Sequence, residues 1–434
     1  MIKFIKILLL LSVLNGCSLD NKSNIWTQKE KKIIKKKDVR SNKTSNSKES
    51  NKELNPNLKV KIKSKIYSNN NFNLNDNNSR RVGFNSDLKN KNKYKFSKIK
   101  DFSKYEADLI FDKDSIIFFE SKGTIVKFDK NSKIIWKKNF YSKSEKKLNP
   151  LLFLSLNKNI LIVVDNISNY YAINNNTGDL LWKNKNVAPF NSQIKFYKDN
   201  FFVTDYNNTI RCFSILNGKE IWNYQTNESL IKSQKKLSIA IKNNTVFFNN
   251  SIGDISAINI EDGILLWQQP TQDNLVIENS FLLKNSDLVI SNESLYFSNN
   301  KNEFYSLDTN TGNLNWKNNI NSNIAPIVIN DIIFTISNEG FLNVLNSSNG
   351  KILKKTNLFD VFSEKKRKKI SPEGFLVSTE KIYLTTNTGY ILIIDIKSGK
   401  TIKYLKIDNG KISKPFVSNN LLYIIRENSI IRFK

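Results

Sequence analysis

Histidine is missing from all 434 residues, which removes the commonest general base, the Ser-His-Asp triad and most transition-metal sites. Only two cysteines occur, Cys17 and Cys212, too few for a metal cluster or a haem-attachment motif, and no glycine-rich phosphate loop is present. Asp and Glu are plentiful, but many stand where the chain reverses, as at Asp129, Asp308 and Asp395. At such positions a carboxylate accepts backbone N–H bonds and needs no substrate. The expectation is a protein without catalytic residues, metal or cofactor.

The one thiol placed for chemistry is that of Cys17. Lys3 and Lys6 precede an apolar run from Ile7 to Leu11 that is too short to span a bilayer. It leads into Leu14-Asn15-Gly16-Cys17, which resembles a bacterial lipobox. That resemblance implies a signal peptide over residues 1–16, cleavage before Cys17 and acylation of that cysteine, with Ser18 in the next position implying the outer membrane. The alternative is a plain secretory signal with an incidental cysteine. Cys212 is then left without a partner. It fills the small position that Ala172 and Ala257 occupy in equivalent places, so it reads as a packed small residue. A chain of this length can bury a large core without disulfides.

The element that must position everything else is the stretch 170–183, YYAINNNTGDLLWK. A short strand ends on Asn174, a turn contains Gly178, whose missing Cβ permits positive φ, and a second strand carries Trp182. The pattern recurs as Ser132 with Trp136, Gly218 with Trp222, Gly263 with Trp267 and Gly312 with Trp316. Two degenerate copies, at Gly350 and Gly399, have Lys354 and Lys403 in place of Trp. Neighbouring copies lie about 46, 40, 45, 49, 38 and 49 residues apart, the span of one four-stranded propeller blade.

Residues 17–92 are crowded with Asn, Lys and Ser and read as a mostly disordered tether, with a reach on the order of 50 Å. Weak alternation at Val60, Ile62 and Ile66, and a stronger one at Tyr94 and Phe96, are the places where it could hold a strand. From 93 to 434 each repeat adds two apolar runs before its hairpin, such as 160–164 and 245–248, and no helical period is sustained. The expected fold is all-β: an eight-bladed propeller of four-stranded antiparallel blades. The last repeat stops after its third strand, near Phe433. An N-terminal strand over 93–99 is therefore expected to pair with 430–433 and close the ring, since open edges invite aggregation.

A net charge of +29 would ordinarily suggest nucleic acid. The base is nearly all Lys, however, with Arg only at 40, 80, 81, 211, 367, 426 and 432, whereas bidentate phosphate and guanine recognition favours Arg. No nucleic-acid partner is expected. The densest run, Lys365-Lys366-Arg367-Lys368-Lys369, is either a solvated loop or an attraction to anionic lipid or an acidic partner.

The Gly-to-Trp hairpin resembles the repeat named for pyrroloquinoline quinone. Repeat number, lipobox and tether together resemble the BamB family of outer-membrane assembly lipoproteins over roughly residues 90–434. That resemblance implies a lipid-anchored scaffold at the periplasmic face of the outer membrane. It would be a monomer within a hetero-complex, docking on the POTRA domains of a BamA-like barrel-inserting protein beside other assembly lipoproteins. It also points to two loops as partner-binding: Tyr224, Gln225, Thr226, Glu228 and Ser229, where the family's Arg is absent, and Asn285 and Asp287, where Asn285 replaces one of two Asp. Ordinary blade-linking loops are the alternative. Two other functions stay open: a quinone-dependent oxidoreductase, although its vicinal cysteine pair is absent, and a periplasmic sensor or interaction propeller with an unrelated partner.

Overall fold

The founding turn closes as its residues dictate. In the computed structural model, which describes residues 52–62, 77–79, 81–89, 91–227, 233, 235–271 and 284–434, Gly178 sits at φ 76° and its N–H donates to the Asn174 carbonyl at 2.8 Å. The Asn174 side-chain oxygen accepts the Asn176 N–H at 2.9 Å. Asp308 accepts the N–H groups of Asn310 and Thr311 at 2.9 and 2.8 Å. Asp129 and Asp395 bind N–H groups of their own turns in the same way. These carboxylates shape reversals.

Each outer hairpin also carries a bulge. Ala172 pairs with Trp182 while the adjacent Ile173 pairs with Leu180, so one strand holds an extra residue, Leu181. The same shift occurs before Phe213, Ile258 and Leu307. It places a small residue, Ala172, Cys212, Ala257 or Ser306, directly across from the indole. A bulge strengthens local twist, and this one recurs in blade after blade.

Eight four-stranded antiparallel sheets are present among the described residues. Blade 2 is Leu152–Asn157, Ile160–Asp165, Asn169–Asn174 and Leu180–Lys185. Blade 3 runs from Lys195–Tyr197 to Glu220–Gln225, blade 4 from Ile239–Lys242 to Leu265–Gln269, and blade 5 from Val289–Ser291 to Leu314–Asn318. Blade 1 precedes them, from Ile110–Asp112 to Ile134–Lys138. Blades 6 and 7 follow, ending on Ile352–Asn357 and Thr401–Lys406. First strands of neighbouring blades meet around the hub. Apolar side chains fill the wedges between sheets, with Leu161, Ile162, Tyr171, Phe201 and Phe247 almost wholly buried.

The ring closes with an N-terminal strand, as expected, although it begins two residues before the 93–99 read from the sequence and ends at Lys95. Lys91–Lys95 pairs antiparallel with Ser429–Phe433, with Tyr94 opposite Ile430, and supplies the outer strand of blade 8.

The chain divides into two units, Met1–Lys52 and Glu53–Lys434. Within the second, parts of the stretch read as tether lie on the propeller. Leu54 forms an antiparallel bridge with Lys355 on the outer strand of blade 6. Val60 is buried between blades 6 and 7, and its N–H donates to the Lys397 carbonyl at 3.0 Å. Val82, Phe84 and Leu88 pack against apolar residues of blades 7 and 8.

Candidate docking face and hub

Each Trp of the repeat joins its blade to the next. The Trp136 N–H donates to the Asn175 carbonyl at 2.9 Å and that of Trp182 to Ile215 at 2.9 Å. Trp222, Trp267 and Trp316 donate to Ile260, Thr309 and Ser347 at 3.1, 3.0 and 2.9 Å. Each ring lies against the next blade's turn glycine, and a Cβ built on Gly218 would come within 2.6 Å of the Trp182 ring. The glycine therefore serves twice, once for positive φ and once for room. These anchors, with Gly178, Gly263 and Gly312, hold the ring together and carry no reacting group.

Where Trp is lost in blades 6 and 8, other groups take its place. Lys354 is almost fully buried and donates to the carbonyls of Pro56 and Leu58 at 2.7 and 2.9 Å. At the seam, Tyr94 of the closing strand packs edge-on against Phe128 and its hydroxyl reaches the Lys130 carbonyl at 3.4 Å.

One face of the ring opens as a funnel of 830 Å³ lined by connections into the first strands. Its floor is charged. Asp108 ahead of blade 1 receives Lys236 from blade 4 and Lys414 from blade 8, the latter at 2.7 Å. Burial pushes the Asp108 carboxyl up, but the two ammonium groups outweigh it and hold the carboxyl well below the usual range. Burial likewise acts against charge on Lys236, and Asp108, Asp287 and Glu106 reverse it. Higher on the wall, burial raises the Glu373 carboxyl against the pull of Lys411, 3.0 Å away. The Asn78 side chain enters the hub between blades 3, 4 and 5. Its amide donates to the carbonyls of Leu288 and Ile239 at 2.8 and 3.0 Å, and its oxygen accepts from Lys195 at 2.7 Å.

The two loops singled out in the sequence leave the outer strands of blades 3 and 4, on either side of blade 4. Tyr224 and Gln225 end the outer strand of blade 3. Thr226 is buried, donating to the Asn208 carbonyl and accepting from Asn250, both at 3.2 Å. Asn285 and Asp287 are both buried, and Asp287 lines the funnel. The Asn285 carbonyl accepts from Lys235 at 2.5 Å, while its side-chain oxygen has no hydrogen-bond partner among the described residues. Glu228, Ser229, Cys17 and residues 1–16 lie outside the described residues. Thr226 and Asn285 therefore brace the loops from within, and Gln225 is the exposed member among the described ones.

Sequence reading passed over the hub charges, although a signal existed. Asp108-Leu109, Lys236-Leu237, Asp287-Leu288 and Lys414-Pro415 each set a charged residue directly before the chain turns into a first strand.

Cys212 is free and buried, and burial pushes its thiol up to about 12. No group of three potential metal ligands occurs among the described residues.

The sequence from 121 to 356 matches the family described as Outer membrane protein assembly factor BamB. The chain belongs to that family. Its structure is similar to the crystal structure of BamB from Moraxella catarrhalis, with TM-score 0.62 and 15% identity over 79% of this chain and 100% of that one. The computationally designed protein Ika8 matches with TM-score 0.60 and 14% identity, covering 78% of this chain and 99% of its own. A europium-containing methanol dehydrogenase matches with TM-score 0.60 and 11% identity, over 81% and 88%. At such identities the likeness establishes the fold. No curated protein matches the sequence.

At this hub the Asp108 carboxylate is bridged by two ammonium groups, and the Asn78 side chain is held by Leu288, Ile239 and Lys195.

Proposed function

We propose that this chain is a non-catalytic scaffold lipoprotein of the outer-membrane β-barrel assembly machinery. It is anchored through acylated Cys17 at the periplasmic face and docks on the POTRA domains of a BamA-like insertase, beside other assembly lipoproteins. The observation that carries the reading is the family match over 121–356 on a complete eight-bladed ring. The loops flanking blade 4, with Gln225 exposed and Asp287 at the funnel wall, are the surface assigned to the partner. A scaffold needs a rigid frame and accessible loops, and the Trp-to-carbonyl joints supply the frame.

Affinity isolation of the tagged full chain from detergent-solubilised envelope tests this. Recovery of a barrel-inserting outer-membrane protein with POTRA domains supports the proposal. Its consistent absence, or reduction of a redox dye by the chain reconstituted with pyrroloquinoline quinone and Ca²⁺, overturns it.

A further inference from the structure

A strongly basic edge of the ring lies at blades 6 and 7. Between residues 351 and 411 the sequence holds fourteen Lys and Arg against six Asp and Glu. The connection 358–371 carries five of these bases, and it is held along the outer strand of blade 7: the Thr401 hydroxyl donates to the Leu358 carbonyl at 2.9 Å, and Phe362 lies 4.8 Å from Tyr404. Arg367 and Lys368 are matched by Asp360 and Glu364, each at 3.1 Å. Lys365 and Lys369 are exposed, with no carboxylate partner among the described residues. Lys366 stands over the rings of Phe362 and Tyr390, at 4.8 and 4.3 Å, and Lys406 also lies 4.3 Å from Tyr390. Beside these bases Val361, Ile402 and Tyr404 are exposed.

Unmatched ammonium groups interleaved with an exposed Tyr and two aliphatic side chains form a composition suited to the boundary between headgroups and acyl chains. The N-terminal segment arrives at the same edge. Glu53, the first residue of the ring's unit, accepts the Asn357 N–H at 2.9 Å, directly before the basic connection. Along the chain, this edge is thus where the ring's unit begins.

We propose that the edge formed by residues 358–371 and the strand Thr401–Lys406 rests on an anionic phospholipid surface. The part of this inference that orients the ring depends on the Cys17 anchor proposed above, but the affinity of the edge for lipid does not. Two weak attachments, an acyl anchor and a basic surface, reinforce each other because the first raises the local concentration of the second.

The test uses the chain without residues 1–16 and with Cys17→Ser, mixed with vesicles of phosphatidylcholine alone or with phosphatidylglycerol. Binding is expected only to the anionic vesicles and is expected to fall with added salt. The triple variant Lys365→Gln, Lys366→Gln and Lys369→Gln should bind on the order of 100-fold more weakly, since each base near such a surface contributes roughly fivefold. The matched variant Lys143→Gln, Lys146→Gln and Lys147→Gln removes the same charge from the short helix between blades 1 and 2. It should bind nearly as the parent does. Equal losses in the two variants would mean general attraction by a basic protein and would overturn the proposal. So would absence of binding, or an unchanged vesicle affinity combined with loss of a protein partner from the first variant. Release of the full chain from membranes by Cys17→Ala reports on the anchor alone, so the two readings fail separately.

Discussion

The Lys354 ammonium donates to the Pro56 carbonyl at 2.7 Å, at the place where five other blades carry Trp. A segment from outside the repeats thus replaces a missing indole. Lys354→Ala would leave the carbonyls of Pro56 and Leu58 without their charged donor, at a cost of about 2–3 kcal/mol. A lower urea midpoint and faster proteolysis within residues 53–60 should both be seen.

Gly218 and Gly399 share a backbone conformation, at φ 69° and 70°, but differ in their neighbours. A Cβ on Gly218 would meet the Trp182 ring at 2.6 Å, whereas one on Gly399 would meet Thr356 Oγ1 at 3.1 Å and Lys354 Cε at 3.3 Å. Gly399→Ala is expected to cost about 1 kcal/mol, from backbone strain. Gly218→Ala should cost about 2–4 kcal/mol, because the indole must also shift. Comparable losses in thermal or chemical denaturation would show that the Trp contact has no steric grip on the turn.

The hub carboxylate makes stability fall in acid. Burial raises the Asp108 pKa, but Lys236 and Lys414 more than reverse this, so the folded-state value lies below that of the unfolded chain. Its contribution is therefore complete above about pH 4 and is lost as the pH falls through the lower, folded value. Asp108→Asn should cost about 3 kcal/mol at neutral pH, the low end for a broken buried pair, because 23% of that side chain is still open to solvent. The variant should also show a flatter decline of stability below pH 4, measured by urea unfolding at stepped pH.

The Cys212 thiol is buried across from Trp222 and pushed up to about 12. At pH 8 the folded protein should react with an aromatic disulfide reagent only as fast as it opens. In denaturant one thiol from this residue should react promptly. Prompt reaction in the folded state would contradict the packing between blades 3 and 4.

The ring was readable because Gly, turn and Trp recur with a length that only one strand count satisfies. The missing outer strand of the last repeat pointed to 93–99 for the same reason, and the strand lies at Lys91–Lys95, overlapping that stretch. Other features rest on contacts between distant parts of the chain that leave no local pattern. Leu54 sits in a polar sequence and has no periodic neighbours, yet it bridges Lys355. Asn78 is one among many asparagines, and only the carbonyls of Ile239 and Leu288 distinguish it. Thr226 and Asn285 looked like surface residues because they follow outer strands, but the turns of the adjacent blades cover them.

Tyr94 and Arg432 touch across the seam, although 338 positions separate them in the chain. Every blade except the last can assemble from consecutive residues, whereas the eighth must bring together two distant segments against the entropy of an enormous loop. Completion of the circle should accordingly be the slowest event in folding. Until then a newly made chain would present a pair of unsatisfied strand borders, the interval in which it most needs protection by chaperones.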